Sequence, residues 1–251
     1  MINVVKPRAV HADLLDSLGA EIVSGRLPVS EVLTLERIAA AYDVSRSVAR
    51  EAIRVLQSMG LVAPRRRVGI TVQPREGWNV FDPRVIRWRL EAGDRSDQLV
   101  SLSELRRGFE PVAAALAAER ASAEHCRALA SAVSDMEVTG RQGDLEAYLR
   151  ADQHFHTTLL DASGNEMMRA LASVTAEVLE GRTHHHLMPA RPNPQAIALH
   201  EEVARAVRRG DAQAAETAMR SIIEEAAAAL AAEQRPRRRA SADSTGEPAE
   251  A

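Results

Sequence analysis

The 251-residue chain is 45% hydrophobic and 27% charged but only 3% aromatic, which predicts two domains with aliphatic, mainly helical cores and argues against a large β-sandwich or barrel. No apolar run reaches the roughly 18 residues of a membrane span, the opening MINVVKPRAV lacks a signal-peptide pattern, and the one cysteine, Cys126, excludes an intramolecular disulfide or cysteine-based zinc cage, so a cytoplasmic protein is expected. The formal net charge of −3 hides an asymmetry: residues 44–75 carry seven arginines against Glu51 alone, the footprint of a polyanionic partner.

In chain order, residues 9–23 place Leu14, Leu15, Leu18 and Ile22 on one helical face before Gly25 and Pro28 interrupt. A second helix is expected over 35–42, with Leu35, Ile38 and Ala39 inward. Asp43-Val44 then leads to Ser45, a natural N-cap. The third helix, 46–59, carries Val48, Ala52, Ile53, Val55 and Leu56 on or near its inner face until Gly60 stops it. Short strands over 61–63 and 69–72 flank an arginine-rich turn over 64–68. Two amphipathic helices joined by a short turn and followed by a hairpin predict a winged helix-turn-helix over residues 1–75, its recognition helix sized for the DNA major groove. Arg46 and Arg50 share a face of that helix behind Ser45. Arg65, Arg66 and Arg67 belong at the wing tip, beside phosphates or the minor groove. Arg37, on the preceding helix, is placed to touch backbone or base edge. Each arginine alone reads more readily as a solvated surface charge; the set on this pattern predicts double-stranded DNA as the partner.

Residues 76–93 form a linker too rich in apolar groups (Trp78, Phe81, Ile86, Trp88, Leu90) for a flexible tether, with a helix start at Asp82-Pro83, and are expected to pack against both domains. Residues 94–233 read as an all-helical bundle, with helices near 96–121, 123–140, 144–162, 165–188, 194–209 and 211–233 and a kink expected at Pro111. Residues 234–251 lack apolar periodicity and are expected to form a disordered tail whose arginines are solvated or add non-specific DNA affinity.

Within the bundle, Asp152 and His156 lie four apart and project from one helical face. A carboxylate and an imidazole at that spacing can hold one metal ion, with His200 on a later helix as a third ligand and open positions left for water or an anionic effector. A hydrogen-bonded Asp-His pair without metal is the plainer alternative. The run His184-His185-His186 looks like a metal tract, but neighbouring helical residues do not share a face, so it reads as a partly exposed helix end. His154 should point elsewhere, and His11 and His125 have no constellation around them. Arg106 is either a carboxylate clamp facing the bundle cavity or a surface ion-pair partner of Glu110 or Asp97.

Residues 9–75 resemble the GntR-type winged helix through Leu35-Glu36-Arg37-Ile38-Ala39, Val44 to Ile53, Leu56, Gly60-Leu61-Val62 and Gly69. Residues 96–233 resemble the FCD effector domain of that family's FadR-like branch through Asp152 with His156, Ser163-Gly164-Asn165, His200 with Val203, Gly210-Asp211 and Ala218-Met219. The resemblance implies a dimeric repressor, with DNA contacts matching Arg37, Arg46, Arg50 and Gly69, and an effector domain for a small carboxylate often held through a divalent metal, zinc or nickel. Its metal ligands match Asp152, His156 and His200. The usual fourth ligand is a histidine 22 residues after the third; Ile222 stands there, so a metal-free site and a three-ligand site completed by the effector both stay open. Gly77 to Pro83, Val85-Ile86 and Trp88 to Glu91 resemble the linker of repressors of sugar-acid operons of galactonate or gluconate type. Ser30 and Thr34 replace a usual glycine and proline, expected to alter a turn and not the fold. Three rival readings stay open: a regulator answering lactate, a dicarboxylate or a fatty-acid derivative; a helical-bundle metalloenzyme, which would want more carboxylates; and a sequence-tolerant DNA architectural protein.

Overall fold

The computed structural model describes residues 7–93, 95–185 and 188–243, with side chains described over 13–93, 95–185 and 188–229. The chain divides into two compact units, Met1–Gln98 and Leu99–Ala251. Among the described residues, no helix is long and apolar enough to cross a membrane.

The first unit contains α1 (Pro7–Val23), β1 (Val32–Leu33), α2 (Leu35–Ala41), α3 (Arg46–Ser58), β2 (Val62–Arg65), β3 (Gly69–Val72) and α4 (Pro83–Glu91). Leu14, Leu15, Leu18 and Ile22 of α1 meet Ile38 of α2 and Ala49, Ala52, Ile53 and Leu56 of α3 in one aliphatic core. The spacing of the α3 residues is that of one helical face. Thr34 caps α2 by accepting from the Arg37 amide, and Ser45 caps α3 by accepting from the Val48 amide. The hairpin β2–β3 runs from Val62↔Val72 to Arg65↔Gly69, so β2 extends past the expected 61–63 and the turn narrows to three residues.

β1 is a strand the sequence reading did not contain. It pairs antiparallel with β3, giving the order β1-β3-β2. Two residues are too few to show alternation. The turn before it takes Ser30 to φ 71°, the left-handed region where a glycine costs less. The departures at Ser30 and Thr34 thus leave the fold intact: one residue accepts the strained turn and the other supplies a cap. α4 starts at Pro83 with Asp82 as its N-cap, and Val85 and Trp88 enter the core of the first unit.

The second unit holds most of α5 (Arg95–Arg120), then α6 (Ala123–Gln142), α7 (Leu145–Ala162), α8 (Glu166–Ala170), α9 (Ala172–His184), α10 (Pro194–Arg209) and α11 (Ala212–Asp243). Its core is assembled from small side chains, including Ala114, Ala117, Ala132, Ala206 and Ala215, around Phe155, Leu159, Met136 and Met219. α6 packs on α7 and α10, and α10 on α11. Left-handed glycines at Gly143 and Gly210 end α6 and α10.

Two expectations need correction. The single helix over 165–188 is two, broken at Leu171, whose amide bonds back three residues to the Met168 carbonyl at 3.0 Å. That tight step lets α8 lie with no buried residue while α9 buries one face. The backbone of α11 continues as helix to Asp243, past Gln234 where an unstructured tail was expected. Four arginines and two alanines, both good helix formers, fill six of the ten positions from Gln234 to Asp243. The remainder of the expected tail, 244–251, and His186 of the histidine run lie outside the described residues.

Candidate functional site

The first unit presents a cationic face. Arg50 is exposed, with no ion-pair partner among the described residues. Arg46 is also exposed but forms an ion pair with Glu36 of α2. Arg37 donates to the Val32 carbonyl at 3.0 Å and lies 3.6 Å from Glu31. Arg65, Arg66, Arg67 and Gly69 are all exposed around the hairpin turn, with Arg67 in the left-handed region at φ 61°. Ser45 is the cap of α3, so its hydroxyl already fixes the start of the helix that carries Arg46 and Arg50.

In the second unit, α7 supplies Asp152 and His156 one turn apart, and α10 supplies His200. All three are buried, and their ligand atoms lie within 4.8 Å of one another. Asp152 Oδ1 is 3.4 Å from His156 Nε2 and 3.3 Å from His200 Nε2. His200 Nδ1 faces the Ala196 carbonyl at 2.7 Å, so that nitrogen carries a proton and donates. His156 Nδ1 faces Glu110 Oε2 at 3.0 Å and does the same. The two Nε2 atoms therefore turn toward Asp152. Asp152 Oδ1 and His200 Nε2 are shut from solvent without a hydrogen-bond partner among the described residues.

This donor set fits a divalent cation. Two buried acceptors facing each other are costly unless something positive lies between them. A tetrahedron with metal–ligand bonds of about 2.0–2.1 Å has edges of roughly 3.3–3.4 Å, matching the two separations between the carboxylate oxygen and the imidazoles. Each imidazole is also held from behind by an oxygen acceptor, as metal-binding histidines usually are. Ile222, at the place of the usual fourth ligand, is buried on the wall of the adjoining cavity and offers no donor.

Behind the triad lies a charge network that the sequence reading resolved only in part. Glu110 of α5 is fully buried and takes Arg106 Nε at 2.6 Å and Nη2 at 3.0 Å. Thr175 of α9 donates to the same carboxylate at 2.9 Å. The Arg106–Glu110 pair considered as a surface ion pair is thus an interior one. Burial alone would raise the Glu110 pKa, but Arg106 and His156 outweigh it and hold the carboxyl far below its usual range. Burial likewise opposes the charge on His156, yet Glu110 and Asp152 raise its pKa above the ordinary value. Asp152, despite its burial, is kept well below its usual range by the two histidine rings.

The triad opens on a cavity of about 320 Å³ whose wall includes Arg106, Tyr148, Arg182, Ile222 and Glu225. That is at the small end of the range for ligand pockets. Glu110, Thr175, Arg182 and Glu225 were missed as site residues; only the four-residue spacing of Arg106 and Glu110 signalled any of them. His154 is exposed, and His184 is a surface group paired with Glu146 at 3.0 Å. His125 does have a constellation: it closes a capping box with Ser122 and lies 3.4 Å from Asp161.

Comparison with known proteins gives concordant matches to both units. Residues 11–72 match the family described as bacterial regulatory proteins, gntR family, and residues 101–225 match the FCD domain. The chain is 31% identical over 210 residues to the galactonate operon transcriptional repressor of Escherichia coli (strain K12), covering 82% of this chain and 90% of that protein. It is 28% identical over 204 residues to the HTH-type transcriptional regulator LutR of Bacillus subtilis (strain 168), covering 79% and 90%. Among solved structures, Lar, described as controlling expression of the Listeria monocytogenes agr system, superposes with a TM-score of 0.55 at 20% identity over 90% of this chain and 96% of that one, a likeness of fold alone.

Proposed function

The chain belongs to the gntR family of bacterial regulatory proteins and carries that family's FCD domain; it is a transcription regulator, and from that premise we propose that it is a dimeric cytoplasmic repressor of a sugar-acid catabolic operon, released from its operator by the sugar acid. Arg46 and Arg50 read base edges in the major groove, Arg37 contacts backbone or base, and Arg65, Arg66 and Arg67 bind phosphate beside Gly69. Asp152, His156 and His200 hold a zinc or nickel ion. Such an ion supplies a positive centre with open positions for an oxygen anion. Arg106, locked to Glu110, orients His156 and keeps the triad rigid around it.

The observation that carries the proposal is the buried triad, complete in its supporting hydrogen bonds and opening on a small cavity, in the same chain as an exposed arginine-bearing helix. The sugar-acid assignment draws support from the 31% identity to the galactonate operon repressor. The cavity size favours a small acid over a fatty-acyl derivative.

The test is thermal unfolding with aldonates, uronates, lactate and dicarboxylates, with added zinc or nickel and after chelation. A true ligand at 100 times its dissociation constant adds about 2.7 kcal/mol of stability. The proposal expects that shift with galactonate or gluconate, and its loss after chelation and in Asp152→Asn. A shift with lactate alone would transfer the protein to another effector class. Turnover of the acid would overturn the regulatory reading.

A further inference from the structure

The two arginines on the cavity wall differ in a way that assigns them different work. Arg106 already has a buried counter-ion: its Nε and Nη2 both donate to Glu110, and Nη2 also lies 3.4 Å from His156 Nε2. Arg182, on the last turn of α9, has its Nε shut from solvent with no hydrogen-bond partner among the described residues. The side chain as a whole is half-buried, but an N–H held in that state is costly, and a chain keeps it where something else supplies the missing acceptor. Burial and the nearby Arg106 both push the Arg182 pKa down, and the pull of Asp152 and Glu225 does not restore it. Arg106, in contrast, is raised because Glu110 outweighs its burial.

Glu225 faces the same cavity from α11. Its Oε1 accepts from Asn193 Nδ2 at 3.0 Å, and Asn193 is in turn the cap of α10. That bond fixes a carboxylate, ready to accept from hydroxyl groups, on the wall that also carries the anion-seeking Arg182.

We propose that Arg182, and not Arg106, is the cavity arginine that binds an effector's anionic oxygens, and that Glu225, held by Asn193, accepts from hydroxyl groups of the same molecule, making a polyhydroxy carboxylate the class of ligand the cavity selects. This rests on the carboxylate-effector reading above and deepens it. The cavity pairs a cation whose Nε lacks an acceptor among the described residues with one fixed carboxylate acceptor. A fatty or plain dicarboxylic acid meets only half of that pattern and brings Glu225 an acceptor or a methylene where a donor is wanted.

Calorimetric titration and thermal unfolding of the full-length protein test this with Arg182→Met, Arg182→Gln and Glu225→Gln, against gluconate, galactonate, hexanoate and acetate. For the wild type, gluconate or galactonate should bind more tightly than hexanoate. Arg182→Met and Arg182→Gln should lose about tenfold to a hundredfold in aldonate affinity, the worth of one charge-assisted contact, with zinc affinity unchanged. Glu225→Gln should lower aldonate affinity and leave acetate binding alone. A residue present only for structure would lower the melting temperature when replaced; Arg182→Met should hold or raise it, because a half-buried guanidinium whose Nε has no acceptor among the described residues is removed. Aldonate affinity unchanged in both Arg182 variants, or a lower melting temperature in both, overturns the proposal. Should the wild type bind no aldonate, the sugar-acid reading falls and the polyhydroxy selectivity falls with it. The acetate arm then decides the anchor: stabilisation of the wild type but not of Arg182→Met sustains it, and equal or absent stabilisation overturns it.

Discussion

Glu110 shows how much one side chain can hold in place. It is fully buried, neutralises Arg106, accepts from Thr175 and orients His156. Replacing it by alanine leaves a buried guanidinium without a counter-charge, a change that typically costs about 3–5 kcal/mol. Glu110→Ala should therefore lower the urea midpoint steeply, and a midpoint within experimental error of wild type would mean that Arg106 has another partner. The arginines proposed to face DNA behave differently because they are exposed. Arg50 is available as it stands, whereas Arg46 must first leave Glu36. Arg50→Ala is expected to cost about 1–3 kcal/mol of operator affinity. Glu36→Gln should strengthen operator binding by freeing Arg46 and removing a negative charge from the same face, and weaker binding would show that Glu36 positions Arg46 productively. Anisotropy titrations on a selected operator measure both. Asp152 and His156 were legible in the sequence because their spacing puts them on one helical face. Thr175 was not, because it meets Glu110 from 65 residues away through the packing of separate helices.

At the scale of elements, α4 joins the first unit through a close approach that no local pattern announces. Gly19, in the middle of α1, lies against the Trp88 ring, and any Cβ there would collide with it. The Trp88 indole also donates to Asp16 at 3.1 Å. Gly19→Ala pits two effects against each other. Alanine in a helix interior gains about 0.5–1 kcal/mol over glycine, while overpacking costs about 1–3 kcal/mol. The clash is with the body of an aromatic ring and not with a flexible tip, so net destabilisation of about 1 kcal/mol is expected. Adding Trp88→Leu should recover part of that loss, and full additivity in such a cycle would sever the contact from the effect. The helix-turn-helix was readable in advance because its periodicity and caps are local: Ser45 and Gly60 each act within a few residues. β1 and the break at Leu171 were not, since one depends on pairing with a distant strand and the other on a single tightened turn.

For the whole molecule, the proposed function joins the basic run at 44–75 and the buried site of the second unit in one linked equilibrium. If the effector weakens operator binding by some factor, operator DNA must weaken effector binding by the same factor. Couplings of this kind usually lie between about 5-fold and 150-fold. A cavity that bound its acid without such coupling would be a store and not a switch, however tight the binding. If the exposed wing arginines bind phosphate as proposed, removing Arg65, Arg66 and Arg67 together should flatten the salt dependence of binding. The most direct measurement is the dissociation constant of the metal-loaded protein for its selected operator, titrated with galactonate or gluconate beside a His156→Ala control. The account predicts a rise of at least about fivefold at saturating acid in the wild type and none in the control; an operator affinity that stays constant while the acid saturates its cavity would contradict it.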